Sequence, residues 1–348
     1  MSETTMRALR LIAEGEPCRM ERVPAPAAPT GEQVLVRMKA VALNHIDLFG
    51  QRGMAFAKRT LPLTVGVEGV GEVAAPGPAV AGLAPGQTVV VYPGLFCGTC
   101  RWCAKGQENL CENIAGIMGF HRDGLACDYV SVPAARVIPV PAGVSPTHAA
   151  CTTVTFATVQ HMLFDNARLE AGEWILVHAG GSGIGSTAIK MAKAVGATVI
   201  TTVGSDAKAE KARALGADHV INYREERFES RVRRLTGKRG VDVVFEHTGP
   251  DTWAGSLLSL VKGGRLVTCG STTGINAETN LYLIFQQQLR IFGSFGSSLA
   301  NVRESLRKMA EDGITPVIDS EIAIEDFGTA LARLADRDVF GKIVAHIA

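Results

Sequence analysis

The chain has 348 residues, with 35 basic side chains against 34 acidic ones, a formal net charge of +1, and 47% hydrophobic and 20% charged residues. That balance excludes the electrostatic footprint of a nucleic-acid binder or a polybasic membrane anchor, and it leaves small molecules as the expected partners. The length suits two compact units, and a long uncharged stretch, Val73 to Cys100, is interrupted by Pro76, Pro78, Pro85 and Pro93, so no spanning helix is expected.

The opening MSETTMRALRLIAEGE lacks a basic start followed by an apolar run, which gives no secretory signal and a cytoplasmic location as the expectation. Short alternating or apolar runs at Arg7–Ile12, Val34–Ala42, Gly69–Ala74, Thr88–Tyr92 and Asp128–Val132 predict strands, punctuated by Pro and Gly as in a small β-rich, barrel-like domain. Within this half lies CGTCRWCAKGQENLC, which holds Cys97, Cys100, Cys103 and Cys111, while Cys18, Cys127, Cys151 and Cys269 are scattered. Four soft thiolates at this spacing complete a tetrahedral zinc shell with no open position, the pattern of a structural ion. Free thiols, a redox device and an iron-sulfur cluster are the competing readings.

From Trp174 the rhythm becomes strand, helix, strand, helix: WILVHA, GSTAIKMAKAVG, TVITTV, DAKAEKARALG, HVIN, RFESRVRRLTG, VDVVFEH, TWAGSLLSLVKGG, RLVTCG, LYLIFQQQ, LRIFGSF. Parallel strands need crossover helices, so the pattern predicts an α/β, doubly wound, six-stranded parallel sheet. The first strand runs into Gly180, Gly181, Ser182, Gly183, Ile184 and Gly185 and then a helix. Glycines there let the backbone approach a pyrophosphate at the positive end of the helix. The second strand ends in Val203, not in the acidic residue that would take the ribose diol of NAD. Ser205, Lys208 and Tyr223 are expected to receive a 2'-phosphate, which favours NADPH over NADH. Asp206 is the rival acidic residue, read here as part of the next helix's first turn. The tail after Ser294, with NVRESLRKMAEDG and the terminal segment, breaks the repeat and is assigned back to the first domain.

With the glycine loop, the strand series and the cysteine lobe together, the chain from Arg7 to the terminal FGKIV resembles the medium-chain dehydrogenase/reductase superfamily, which contains zinc alcohol dehydrogenases and quinone oxidoreductases. The resemblance implies a GroES-like catalytic domain over 1–154 and 298–348, with its cysteine zinc lobe at about 94–115, and a Rossmann domain over 155–297. It also implies a cofactor in the cleft and a homodimer or homotetramer joined through the last Rossmann strand. Where zinc alcohol dehydrogenases carry their three catalytic ligands, this sequence has Asn44 in NHID, Val67 in GVEG and Val154, with Cys151 nearby; Asp47 and Glu68, carboxylates that back those ligands, are kept. NHID and GVEG resemble the zinc-free quinone oxidoreductase branch.

By position, the resemblance places His45 and Lys342 beside the pyrophosphate, Thr158 near the nicotinamide, Gly270 and Ser271 after the fifth strand, and Phe295 at the exit of the sixth. Asn44 and Tyr92 are the candidate catalytic residues, Tyr92 as proton donor; His121 is a second candidate, and His161, His178 and His247 are read as structural or cofactor-adjacent. The leading function is NADPH-dependent hydride transfer to a small electrophile, an activated C=C bond or a quinone, without catalytic zinc. An alcohol or aldehyde dehydrogenase, or a cofactor-binding protein without turnover, are the alternatives.

Overall fold

The structure, a computed structural model, describes residues 4–54 and 57–347. It divides into two compact units, one running to Ala157 and resuming at Ser297, the other spanning Thr158–Gly296. The first division lies three residues beyond the expected 154/155 boundary and the second one residue before the expected 297/298 boundary. The chain passes between them inside a continuous helical run, in which Ala157–Gln160 is α-helical while Thr152–Phe156 and His161–Asn166 are π-wound.

The first unit is built on β-sheet. Its main sheet has the order Ile318–Ala323, Lys342–His346, Gln33–Ala42, Gly69–Pro76, Thr88–Val91 and Val137–Pro139, and Tyr129–Pro133 also pairs with Gln33–Ala42. Alternation in the strand Gln33–Ala42 sends Val34, Val36 and Met38 into one core cluster; after a register shift at Met38–Ala40, Val41 joins that cluster and Ala40 and Ala42 pack in a second, and burial of these apolar side chains supplies the drive to fold. A three-stranded sheet of Arg19–Pro24, Thr5–Leu11 and Leu63–Thr64 lies in the same unit. The terminal segment enters the main sheet through Lys342–His346, antiparallel to Gln33–Ala42, with Val344 opposite Ala42.

The second unit is a six-stranded parallel sheet whose first three strands, Trp174–Val177, Thr198–Val203 and His219–Asn222, run outward in one direction. The remaining three, Val241–Glu246, Leu260–Thr268 and Arg290–Gly293, run outward in the other. The order is therefore 3-2-1-4-5-6, and the switch between first and fourth strands opens a crevice at their carboxyl ends, where such sheets bind ligands. Leu176, Ile200, Ile221, Val244 and Leu266 form a central layer of its core. The segment TWAGSLLSLVKGG, expected as one helix, stops at Ser259; the fifth strand starts at Leu260, and Gly263 adopts φ +77° where the strand bulges before rejoining its neighbour at Arg265.

Candidate functional site

The glycine loop lies at the carboxyl end of the first strand of the Rossmann sheet. A Cβ at Gly180 would lie 2.3 Å from the Thr201 hydroxyl, and one at Gly185 would lie 2.2 Å from the carbonyl oxygen of Ala179, so neither position tolerates a side chain. Ser182, standing where the motif has its second glycine, is the N-cap of helix Gly183–Ala194 and accepts the Gly185 N–H at 2.9 Å. The other first-turn amides have no acceptor within a helix, and with the helix dipole they suit a pyrophosphate. The side-chain-free cradle and the capped helix both fit a dinucleotide.

At the end of the second strand, Ser205 caps helix Asp206–Ala214 by accepting the Lys208 N–H at 3.4 Å. The Tyr223 hydroxyl lies over Gly204, 2.5 Å from where a Cβ would stand. Gly204, Ser205 and Tyr223 therefore meet at one strand end, with Lys208 on the adjoining helical turn. Asp206 sits in that helix's first turn and accepts Asn222 Nδ2 at 3.2 Å. Gly270 and Ser271 follow the fifth strand, and a Cβ at Gly270 would lie 2.8 Å from the carbonyl oxygen of His247. The sixth strand ends at Gly293, two residues before the exposed Phe295; Thr158 is buried.

In the first unit the family positions converge on Glu68, which is fully buried. Its Oε1 accepts the N–H groups of Val154 and Thr155 at 2.6 and 2.7 Å. Its Oε2 accepts Thr155 Oγ1 at 2.9 Å, Asn44 Nδ2 at 3.0 Å and Lys342 Nζ at 3.2 Å. The π-wound start of the helical run delivers the two adjacent backbone donors to one oxygen. Sequence reasoning noted Glu68 but missed its five donors and missed Thr155; the readable signal was a carboxylate in an apolar GVEGVG run, which needs partners when buried.

Three expectations change on this geometry. Lys342 is buried, and its Nζ donates to Leu43 O at 2.6 Å and Asn44 Oδ1 at 2.8 Å as well as to Glu68, so its three protons are engaged inside the unit and not directed to a pyrophosphate. Asn44 donates from Nδ2 to Ala42 O at 3.0 Å and to Glu68, while its Oδ1 accepts Lys342 and lies 3.2 Å from the Thr155 hydroxyl, whose one proton goes to Glu68 at the shorter distance. Both ends of the amide are therefore occupied within this unit. Tyr92 is buried in an apolar cluster and donates its hydroxyl proton to Ser297 O at 2.5 Å. Burial, with the negative groups of Glu108, Cys103 and Cys111 beside it, pushes its pKa above the ordinary phenol value, so it is not a poised proton donor.

Other candidates are local. His45 opens helix His45–Arg52 directly after the N-cap Asn44. His121 accepts the Ile117 N–H on Nδ1 at 3.1 Å, and His161 pairs with Asp165 at 2.8 Å. Asp47 closes the capping box with Asn44, and burial raises its pKa to about 7. Val67 and Cys151 are fully buried, and burial raises the Cys151 thiol pKa.

The cysteine lobe is separate from this network. The ligand atoms of Cys97, Cys100, Cys103 and Cys111 all lie within 4.8 Å of one another, the one such metal-ligating group among the described residues. Cys97 and Cys103 sulfurs are 4.0 Å apart, Cys100 and Cys103 sulfurs 3.6 Å. A tetrahedron of Zn–S bonds about 2.3 Å long has edges of about 3.8 Å, so the four sulfurs fit one ion. The N–H groups of Thr99 and then Cys100 lower the Cys97 thiol to about 5, while burial and the neighbouring thiols push that of Cys103 up to about 12. The lobe is tied to the far end of the chain by Glu108, whose Oε2 accepts the Leu299 N–H at 3.1 Å.

Comparison with known proteins agrees with this geometry. An alcohol dehydrogenase GroES-like domain matches residues 30–142 and a zinc-binding dehydrogenase domain matches 183–331. An NAD-dependent alcohol dehydrogenase of Sulfurisphaera tokodaii is 30% identical, over 97% of this chain and 99% of its own. A quinone oxidoreductase of Pseudomonas aeruginosa is also 30% identical, over 92% of each chain. The crystal structure of an NAD-dependent alcohol dehydrogenase superposes with a TM-score of 0.93 at 38% identity, over 99% of this chain and 100% of that one. Two domain matches in the right order, full-length relatives and a shared fold have one common explanation: the chain belongs to the medium-chain dehydrogenase/reductase superfamily of oxidoreductases.

Proposed function

We propose that the chain is an NADPH-dependent reductase that passes hydride to an activated C=C bond or a quinone without a catalytic zinc. The observation that carries this reading is the saturated Glu68 network. Asn44 and Val67 stand where a thiolate and an imidazole would be needed, Asn44 has both amide ends engaged, and Glu68 already accepts five hydrogen bonds.

NADPH, when bound, supplies the hydride. Gly180 to Gly185 would hold its pyrophosphate, Ser205, Lys208 and Tyr223 its 2'-phosphate, and Thr158, Gly270 and Ser271 the nicotinamide end. A conjugated acceptor delocalises the arriving charge toward a remote oxygen, so fixed hydrogen-bond donors suffice where an isolated carbonyl needs a Lewis acid. With the Tyr92 hydroxyl committed to Ser297, water supplies the proton.

Initial rates with an enone, a quinone and the saturated ketone, before and after chelator treatment, test this. Enone or quinone reduction that survives the chelator, with NADPH binding tighter than NADH, is expected. Lys208→Ala should weaken NADPH about tenfold and NADH little. The second reading, an alcohol or aldehyde dehydrogenase, is favoured by the name of the Sulfurisphaera relative; alcohol oxidation lost on chelation and restored by zinc would select it.

The active form is inferred to be a homodimer of a soluble kind, with a homotetramer as the alternative. Strand Arg290–Gly293 is the edge of its sheet, and Ile291, Phe295, Leu281, Tyr282 and Phe285 leave an exposed apolar face beside it, suited to a second copy. Sedimentation equilibrium should give a dimer that Ile291→Lys dissociates; a wild-type monomer would reject the inference.

A further inference from the structure

Directly beneath the glycine loop, at the switch between first and fourth strands, lies a buried chain of polar groups that includes His178 and His247, so far read only as structural or cofactor-adjacent. Glu246, fully buried at the end of the fourth strand, accepts the N–H groups of Thr248 and Gly249 at 2.7 and 3.2 Å, Thr252 Oγ1 at 2.8 Å and Ser256 Oγ at 2.7 Å. Ser256 Oγ is 2.9 Å from His178 Nε2, and His178 Nδ1 is 3.1 Å from Thr202 Oγ1. Thr202 Oγ1 in turn accepts the Ala179 N–H at 3.1 Å. His178 is itself buried, its ring edge against Phe228, and its carbonyl accepts His247 Nε2 at 2.9 Å.

The direction of every proton follows from the carboxylate. Glu246 faces four donors, the N–H groups of Thr248 and Gly249 and the hydroxyls of Thr252 and Ser256, which stabilise its ionised form against burial. A carboxylate only accepts, so the Ser256 hydroxyl donates to it. The Ser256 oxygen must then receive Nε2–H from His178, which leaves Nδ1 as an acceptor for the Thr202 hydroxyl, whose oxygen receives the Ala179 amide. Burial keeps the imidazole neutral by lowering its pKa, as this arrangement requires. Ala179 is the residue whose backbone most needs such a hold. It adopts φ +46°, a left-handed conformation that a residue with a Cβ disfavours. Its carbonyl accepts the Ser182 N–H at 2.8 Å and lies against Gly185, so its conformation sets the path of the loop.

We propose that His178, fixed in its Nε2–H tautomer by Glu246 through Ser256, is a positioning residue that clamps the left-handed turn at Ala179 and so aims the Gly180–Gly185 amides at the pyrophosphate. This rests on the reading of that loop as the dinucleotide site. Because the clamp acts on the part common to both cofactors, its loss weakens NADPH and NADH by the same factor, unlike loss of a 2'-phosphate contact.

The test uses the full-length protein with Ser256→Ala and Thr202→Val, each measured for NADPH and NADH affinity and for the ring 15N shifts of labelled histidine. Wild-type protein should show His178 as the Nε2–H tautomer. Ser256→Ala, which removes the Nε2 acceptor, should shift it toward Nδ1–H. Both variants should bind both cofactors roughly tenfold more weakly, with kcat at saturating cofactor little changed. An Nδ1–H or imidazolium form in the wild type, or affinities within twofold of wild type in the folded variants, overturns the clamp alone. Wild-type protein that binds neither dinucleotide instead overturns the reading of the loop, and the clamp with it. Thr202→Val keeps the shape of its side chain, so it carries the test if Ser256→Ala fails to fold.

Discussion

Replacing Lys342 by methionine is expected to lower the stability of the first unit by about 3–5 kcal/mol, the usual cost of removing one partner from a buried ion pair. The size follows from what is left behind. Glu68 would keep its neutral donors from Val154, Thr155 and Asn44 but lose the cation, and the Leu43 carbonyl and one lone pair of Asn44 would lose their donor. Urea unfolding of Lys342→Met should show the loss, and the double variant with Glu68→Gln should recover a large part of it by removing the orphaned charge. A surface lysine contributing only solubility would leave the midpoint unmoved, and a change below about 1 kcal/mol would show that the pair is no more than a surface-like contact.

Cys103→Ser is expected to take the bound zinc from one ion per chain to none and to lower the thermal midpoint by roughly 10 °C or more, since binding energy at a closed site is folding energy. Cys103 is the sulfur near both Cys97 and Cys100, so without it the remaining thiolates lose their central neighbour. The effect should reach beyond the lobe, because Glu108 holds the first amide of helix Leu299–Glu311. Metal analysis finding no zinc, or two tightly held ions, in the wild type would refute the assignment. Hydride transfer by the fraction that remains folded should change little, which separates a structural ion from a catalytic one.

What could be read from residues alone was whatever is local in sequence. The cysteine spacing is complete within fifteen residues. The glycine loop sits between a strand and helix whose periods are plain, and Ser182 proved to be a cap, a role its side chain advertises. The six-stranded parallel sheet followed from the alternation of short β-branched runs with helical segments, whereas the order of its strands did not. Long-range partners were not legible. Nothing around Tyr92 says that its hydroxyl meets the carbonyl of Ser297, and nothing in FGKIV says that Lys342 turns inward to Glu68. Strands Arg19–Pro24 and Val137–Pro139 escaped notice because they are short and carry charge or proline. The switch-point network was half visible: a glutamate closing the apolar VDVVFE strand and a histidine closing WILVH are polar groups where a core strand ends, but only the fold brings them to Ser256.

The placement of Lys342 also bears on the order in which the chain is made. The Rossmann unit is continuous, so every residue it needs has left the ribosome once residue 296 has emerged. The other unit is split, and its central strand Gln33–Ala42 must wait for Lys342–His346 to cover one edge. Until then that edge is open to mispairing with other strands, and Glu68 has no cation to accompany it out of water. That strand therefore delivers both the missing edge and the missing charge, and it links completion of the β-rich unit to translation through residue 346.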